Sequence, residues 1–281
     1  MNKATITGAL LTLIVVIIAV IAYWPTPPAV APVVPPPVVP ETTPTPTTTE
    51  SVIGTSVEGR PIVAHTFGTG PTHLLFVGGI HGGYEANTVR LAEAVIEELT
   101  LADTDIPDNL TIHVIPNLNP DGYALPATAS DAARRFNANQ VDLNRNFDCR
   151  WAPEGSWRGQ TVSAGNAPFS EPEAAALRDY VAQFPPTAAI FWHSRANAVY
   201  TSECGSGVLP GTETLMEVYA AAADYQPAGL WTAYPVTGDV EGWLASLGVP
   251  AVTVEFETRE SIEWERNWAA VQATLALYES P

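Results

Sequence analysis

The chain has 281 residues, with 12 lysines and arginines against 30 aspartates and glutamates, a net charge of −18 and two cysteines. An acid surplus of this size repels phosphate backbones and excludes a nucleic acid as the natural partner, and because Lys3 is the only lysine, no polybasic membrane patch or basic tail can be assembled. At roughly 100–200 residues per domain the length allows one large domain or two small ones, with enough chain to bury a core.

Residues 5–24 read TITGALLTLIVVIIAVIAYW, twenty positions without a charge, and about 20 apolar residues cross a hydrocarbon core of roughly 30 Å. The run ends on the aromatic pair Tyr23-Trp24. That pair favours an uncleaved anchor over a signal peptide, which has a shorter apolar region and a small-residue cleavage site. With Lys3 as the nearby positive residue, the N-terminus is expected in the cytoplasm and everything after Trp24 outside; a cleaved segment would make the protein secreted. Residues 25–50 hold ten prolines and seven threonines, a composition that favours extended polyproline II. At about 3.1 Å per residue such a linker reaches on the order of 80 Å, a stalk between bilayer and domain.

Residues 51–281 contain no repeat and no second Pro/Thr break, so one domain is expected there. Strand-like apolar runs at 73–77, 110–115, 188–192 and 251–254 alternate with helical stretches at 87–99, 171–183 and 264–278. Strands this apolar, separated by helices, indicate an α/β sheet covered on both faces.

The ends of those strands carry the chemistry. The first leads through Gly78-Gly79-Ile80 to His81, the third into His193 and the fourth into Glu255, and open α/β sheets bind ligands beyond the carboxyl ends of their strands. His81, Glu85 and His193 make a set of two imidazoles and a carboxylate that leaves a coordination position for water, the composition of a catalytic zinc site. Glu85 lies four residues after His81, on one side of a helix-like turn. Downstream, Arg135 followed by Asn137, and the adjacent pair Asn144-Arg145, offer guanidinium forks and amides suited to gripping a carboxylate.

With these motifs in order, the chain resembles the zinc metallocarboxypeptidase family, which includes carboxypeptidases A and B and the bacterial murein peptide amidases. The resemblance covers nearly all of 51–281. It runs through Val57-Glu58-Gly59-Arg60-Pro61-Ile62, Gly78-Gly79-Ile80-His81-Gly82-Gly83-Tyr84-Glu85, Asn119-Pro120-Asp121-Gly122 and Asp142-Leu143-Asn144-Arg145-Asn146-Phe147. Pro168-Phe169-Ser170-Glu171-Pro172-Glu173, His193-Ser194, Tyr234-Pro235-Val236-Thr237-Gly238 and Val252-Thr253-Val254-Glu255 complete it. It implies a mixed, mostly parallel sheet sandwiched by helices, with one zinc ion held by His81, Glu85 and His193. It also implies that Arg135 polarises the scissile carbonyl, that Asn144 and Arg145 grip the free C-terminal carboxylate of a peptide, that Tyr234 closes over the bound residue, and that Glu255 is the general base. The family usually has two residues between the first histidine and the glutamate, whereas Gly82-Gly83-Tyr84 makes three, so Glu85 has a longer turn to span.

Strand alternation puts Glu255 and Glu257 on one face and cannot choose between them; the motif selects Glu255. Asp239 and Glu241 are expected either to line the pocket and favour a basic leaving residue or to form an acidic helix start. His65, His73 and His113 have no partner motif and read as structural, and Arg134 would point away from Arg135 in an extended chain. Cys149 and Cys204 lack metal-site spacing, and in an oxidising compartment they are expected to form one disulfide bracing the pocket. No long inhibitory prosegment is expected between stalk and domain. The reading is a membrane-anchored zinc exopeptidase, with two alternatives: a murein peptide amidase cutting at a diaminopimelate link, and a peptide- or wall-binding domain without turnover.

Overall fold

The computed structural model describes residues 48–101 and 104–279. The anchor expected at 5–24, and the linker as far as residue 47, lie outside the described residues. Among the described residues no helix is long and apolar enough to cross a membrane.

The chain opens with a hairpin of β1 (Thr48–Thr55) and β2 (Pro61–Gly68). β1 therefore takes up Thr48, Thr49 and Glu50, which composition assigns to the linker: once Glu50 pairs with His65, the polar run is a strand at the sheet edge. β3 (Thr72–Val77), α1 (Ala86–Thr100) and β4 (Leu110–Ile115) follow. Two short helices, α2 (Pro120–Ala124) and α3 (Asp131–Arg135), and a small hairpin, β5 (Glu154–Trp157) with β6 (Gln160–Ser163), cover the region near the site. The second half alternates α4 (Pro172–Gln183), β7 (Ala188–Ser194), β8 (Ala198–Thr201), α5 (Pro210–Ala223), β9 (Gln226–Leu230), α6 (Val240–Ser246), β10 (Ala251–Phe256) and α7 (Trp264–Tyr278).

Eight strands form one sheet in the order β1-β2-β4-β3-β7-β10-β8-β9. The centre, β4-β3-β7-β10, is parallel, and β8 and β9 are parallel to each other. The contacts of β1 with β2, β2 with β4 and β10 with β8 are antiparallel. The sheet is thus mixed, flanked by helices, and its outer strands were not readable from sequence. β1 is polar and β8 and β9 are short, and β8 and β9 find partners distant in the chain.

Strand alternation builds two cores. Leu74 and Phe76 of β3 pack on one face with Leu91, Ala92, Val95 and Leu99 of α1 and with Leu215, Tyr219, Val271 and Leu275 of α5 and α7. Leu75 and Val77 turn to the other face, against Ala174, Leu177 and Val181 of α4 and Val240, Trp243 and Leu244 of α6. Each such side chain contributes roughly 1.5–3 kcal/mol by leaving water, so neighbouring residues of one strand pin both helix layers. Because β3, β7 and β10 are parallel neighbours, their carboxyl ends open at one edge, and the register sets Glu255 directly beside His193. Cys149 and Cys204 are joined as a disulfide, Cα to Cα 5.8 Å across 55 residues. Closing a loop of that length contributes about 4 kcal/mol in the chain-entropy account.

Candidate active site

Immediately after β3, residues Gly82–Glu85 form a single tight 3-10 turn that starts at His81. Gly82 sits at φ +48°, and a side chain there would come within 2.8 Å of the Arg134 carbonyl oxygen and 2.9 Å of the Gly122 backbone. The turn is pressed against α2 and α3 and absorbs the extra residue between His81 and Glu85. His81, Glu85 and His193 each present one ligand atom, all within 4.8 Å of one another. The imidazole centroids lie 4.9 Å apart, and His193 Nδ1 is 3.2 Å from Glu85 Oε2.

Whether these residues suit a metal is answered by their unpaired atoms. His81 Nδ1 and Glu85 Oε2 are buried without a hydrogen-bond partner, a condition that costs about 1–3 kcal/mol for each such atom. Two imidazoles and a carboxylate converging on one point fit a divalent cation. A carboxylate stands behind the His193 ring, Glu241 Oε1 at 3.4 Å from Nε2, and Asp142 Oδ1 lies 3.7 Å from His81 Nδ1. A carboxylate on the far ring nitrogen orients a ligating histidine. Burial, reinforced by the positive charge of Arg135, holds His81 well below its ordinary pKa and so neutral. Burial also pulls His193 down, but the Glu241 and Glu85 carboxylates, 3.4 and 3.2 Å from its ring nitrogens, outweigh it and raise the value to about 10. The same two carboxylates make the spot attractive to a cation.

The other residues singled out in the sequence line the same cleft, of about 620 Å³: Arg135, Asn144, Arg145, Tyr234 and Glu255, beside His81, Glu85 and His193. Arg135 is buried; Nε and Nη2 both donate to Asp142 Oδ2 at 3.0 Å, and Nη1 stands 3.7 Å from Glu85 Oε1. Asn144 Oδ1 accepts from the Val240 amide at 2.9 Å, tying it to the start of α6. Arg145 donates to the carbonyls of Asn144 (2.5 Å) and Ser156 (3.1 Å), and its buried Nε has no partner. Tyr234 stacks edge-on against Trp231, which packs on Tyr200. Glu255 is raised to about 7, by burial first and by the charge of Glu85 second, which places a proton acceptor near neutrality. The ambiguity with Glu257 is resolved by the end of β10: Glu257 is exposed and pairs with Arg266 at 3.3 Å.

Asp239 and Glu241 combine both expectations. Asp239 caps α6, accepting from the Gly242 amide at 2.8 Å, while lining the cleft; burial and the neighbouring Glu241 lift it to about 6. Glu241 is spent on Thr253 Oγ1 at 2.9 Å and on His193. Arg134 lies outside the cleft and donates to the Gly83 carbonyl, bracing the turn. His73 and His113 form a chain away from the site, His73 Nδ1 to His113 Nε2 at 2.8 Å and His113 Nδ1 to the Tyr180 hydroxyl at 2.6 Å. Sequence reasoning missed the outer roles of Asp142 and Glu241, the cleft arginine Arg259 and the aromatic wall of Tyr84 and Trp157, over which Arg135 lies at 5.7 and 5.0 Å. None of these has a spacing signal; each reaches the site through a tertiary contact.

Residues 41–262 match the family model described as zinc carboxypeptidase. The chain belongs to this family of zinc-dependent hydrolases. Among curated relatives, murein peptide amidase A of Escherichia coli K12 is 28% identical over 211 residues, 72% of this chain and 78% of that protein. Carboxypeptidase E of Caenorhabditis elegans is 36% identical over 118 residues, covering 36% of this chain and only a quarter (25%) of that protein. Among solved structures, carboxypeptidase A from Helicoverpa armigera superposes with a TM-score of 0.70 at 22% identity, over 83% of this chain and 70% of the other, a likeness of fold. The family acts on peptides, so a zinc carboxypeptidase cleft is the frame for the residues above.

Proposed function

We propose that the protein is a zinc-dependent exopeptidase that removes the C-terminal residue of a peptide. The observation that carries this reading is that the carboxylate-gripping pair Asn144 and Arg145 shares one cleft with the His81, Glu85, His193 triad and with Glu255. An internal peptide bond lacks the carboxylate that such a pair binds.

His81, Glu85 and His193 would hold the zinc ion, which when bound lowers the pKa of water towards about 7 and polarises the carbonyl. Glu255, raised to about 7, takes the proton of the attacking water on its carboxylate and returns it to the departing amine. Arg135, with Nε and Nη2 committed to Asp142, has Nη1 left to donate to the developing oxyanion, a contribution of roughly 10²–10³ in rate for donors of this kind. Tyr234 covers the bound terminal residue. Residues 5–24 anchor the protein, the Pro/Thr-rich residues 25–47 link that anchor to the domain, and the catalytic domain works outside the cytoplasm; the Cys149–Cys204 disulfide supports an oxidising compartment.

The experiment is a matched pair of peptides ending in a free carboxylate or in an amide. Loss of the ionic contact should lower kcat/KM for the amide by roughly 10- to 100-fold; equal hydrolysis of both would overturn the reading. A second reading, cleavage of wall peptides at a diaminopimelate link, is favoured by the similarity to murein peptide amidase A over 78% of that protein. Turnover of purified wall peptides with none of ordinary peptides would select it.

A further inference from the structure

Six arginines line the cleft, and four are committed. Arg135 is held by Asp142, Arg145 by two carbonyls, Arg150 by Glu203 at 2.7 Å and Arg158 by Asp131 at 3.4 Å. The guanidinium groups of Arg195 and Arg259 have no hydrogen bond or ion pair among the described residues, and Nε of Arg259 is buried. In a chain with 30 acidic residues, two unpaired cations in a cleft are not explained by a lack of partners. Arg195 is exposed, so it is Arg259, with its Nε buried, that is a cation held partly out of bulk water without a counter-charge; this destabilises the free protein, and a ligand anion relieves that cost.

Their placement says which part of a substrate they meet. Arg195 follows His193 by two residues beyond β7 and Arg259 follows Glu255 by four beyond β10, and these strands are parallel neighbours, so both arginines emerge at the edge where the reacting groups lie. Arg259 stacks over Tyr84 at 4.1 Å, and its charge acts on both His81 and Glu255. The segment that carries it is strapped down. Asn87 Nδ2 donates to the carbonyls of Thr258 (2.8 Å) and Ser261 (3.0 Å), Arg90 donates to Glu260 O at 2.9 Å, and the Glu263 carboxylate accepts from the amides of Glu257 and Thr258 at 3.0 and 3.1 Å. A guanidinium fixed this way needs little ordering on binding. The Asn144-Arg145 clamp is built on other elements, against Val240 and Ser156.

We infer that Arg259, with Arg195 on the neighbouring strand end, forms an anion subsite for a carboxylate on the acyl side of the scissile bond, so that the preferred substrate carries two carboxylates, one on each side of the bond that breaks. This rests on the exopeptidase reading above. The second carboxylate is either the side chain of an α-linked acidic residue or the main-chain carboxylate of a γ-linked one.

Three peptides ending in the same free alanine separate these cases, with a penultimate α-linked glutamate, γ-linked glutamate or α-linked glutamine, assayed on the zinc-loaded full chain. At least one glutamate peptide should exceed the glutamine peptide in kcat/KM by roughly 10- to 100-fold, and the better one names the source of the carboxylate. Arg259→Gln should bring that ratio to about twofold or less, whereas a merely structural lesion would lower all three substrates by one factor and leave the ratio standing. Arg195→Gln, at an exposed position, should narrow the ratio without risk to the fold. Equal turnover of all three by the unmodified protein, or a ratio that survives both substitutions, overturns the subsite. Failure to cleave any of them defeats the exopeptidase reading and the subsite with it.

Discussion

Gly82→Ala tests whether the tight turn between His81 and Glu85 is what makes the metal cage. The backbone at Gly82 is left-handed, φ +48°, which costs a residue with a side chain about 1–2 kcal/mol. The added methyl would also sit 2.8 Å from Arg134 O and 2.9 Å from both Gly122 C and Tyr123 N. All three are backbone atoms, which cannot swing aside, and such overpacking costs typically about 1–3 kcal/mol. The sum is about 2–5 kcal/mol, expressed in one of two ways. Either the whole chain loses that stability, or the turn shifts, Glu85 withdraws and zinc affinity falls by roughly 10- to 100-fold, the range for disturbed metal-site support. Gly248→Ala is the comparison, since Gly248 has φ +80° but open space around it and should cost only the backbone component, about 1–2 kcal/mol. Urea unfolding of both variants without metal, and zinc titration against a chromophoric chelator, measure the two quantities. If the variants lose the same stability to within about 0.5 kcal/mol and Gly82→Ala keeps its zinc affinity, the packing account of the turn is wrong.

Glu255→Gln should lower kcat by roughly 10²–10⁴-fold with KM little changed, while Glu257→Gln, outside the cleft and paired with Arg266, should stay near the unmodified rate; steady-state kinetics that implicate Glu257 instead would reverse the assignment. With Glu255 raised to about 7 by burial and by the charge of Glu85, the proposed base role requires kcat/KM to climb as pH rises through about 7, and a flat profile there would count against it. His113 is lowered from 6.5 to about 4 by burial and then by the charge of His73. The unfolded chain therefore binds the proton more tightly, and the neutral-state stabilisation is complete above about pH 6.5 and is lost as pH falls towards 4. Its size is on the order of 3 kcal/mol. Two-dimensional NMR titration should place the His113 midpoint near 4, and a midpoint close to 6.5 would remove this contribution to acid sensitivity.

The central strands and the long helices were legible in the sequence because burial on both faces writes them as apolar runs. Residues 110–115 and 264–278 coincide with β4 and α7, and 87–99 falls one residue short of α1 at each end. Edge strands such as β1, with its polar Thr48, Thr49 and Glu50, carry no such signature; α5 was unmarked, and of α6 only the acidic start at Asp239 and Glu241 was signalled. The candidate site residues His81, Glu85, His193, Asn144, Arg145 and Glu255, which share one cleft, could be named from their positions at strand ends and in short motifs. What one-dimensional spacing cannot express is which side chains stand behind them. Asp142 reaches both Arg135 and His81, Glu241 reaches His193 from the start of α6, and Arg259 is set over Tyr84 by a loop pinned to α1. The sequence by itself determined the central elements and the candidate reacting groups, because local pattern and composition decide strands, helices and functional-group chemistry. Only the tertiary structure decided the pairing of Glu255 with His193 and the two unpaired arginines, because those depend on sheet order and register between segments far apart in the chain.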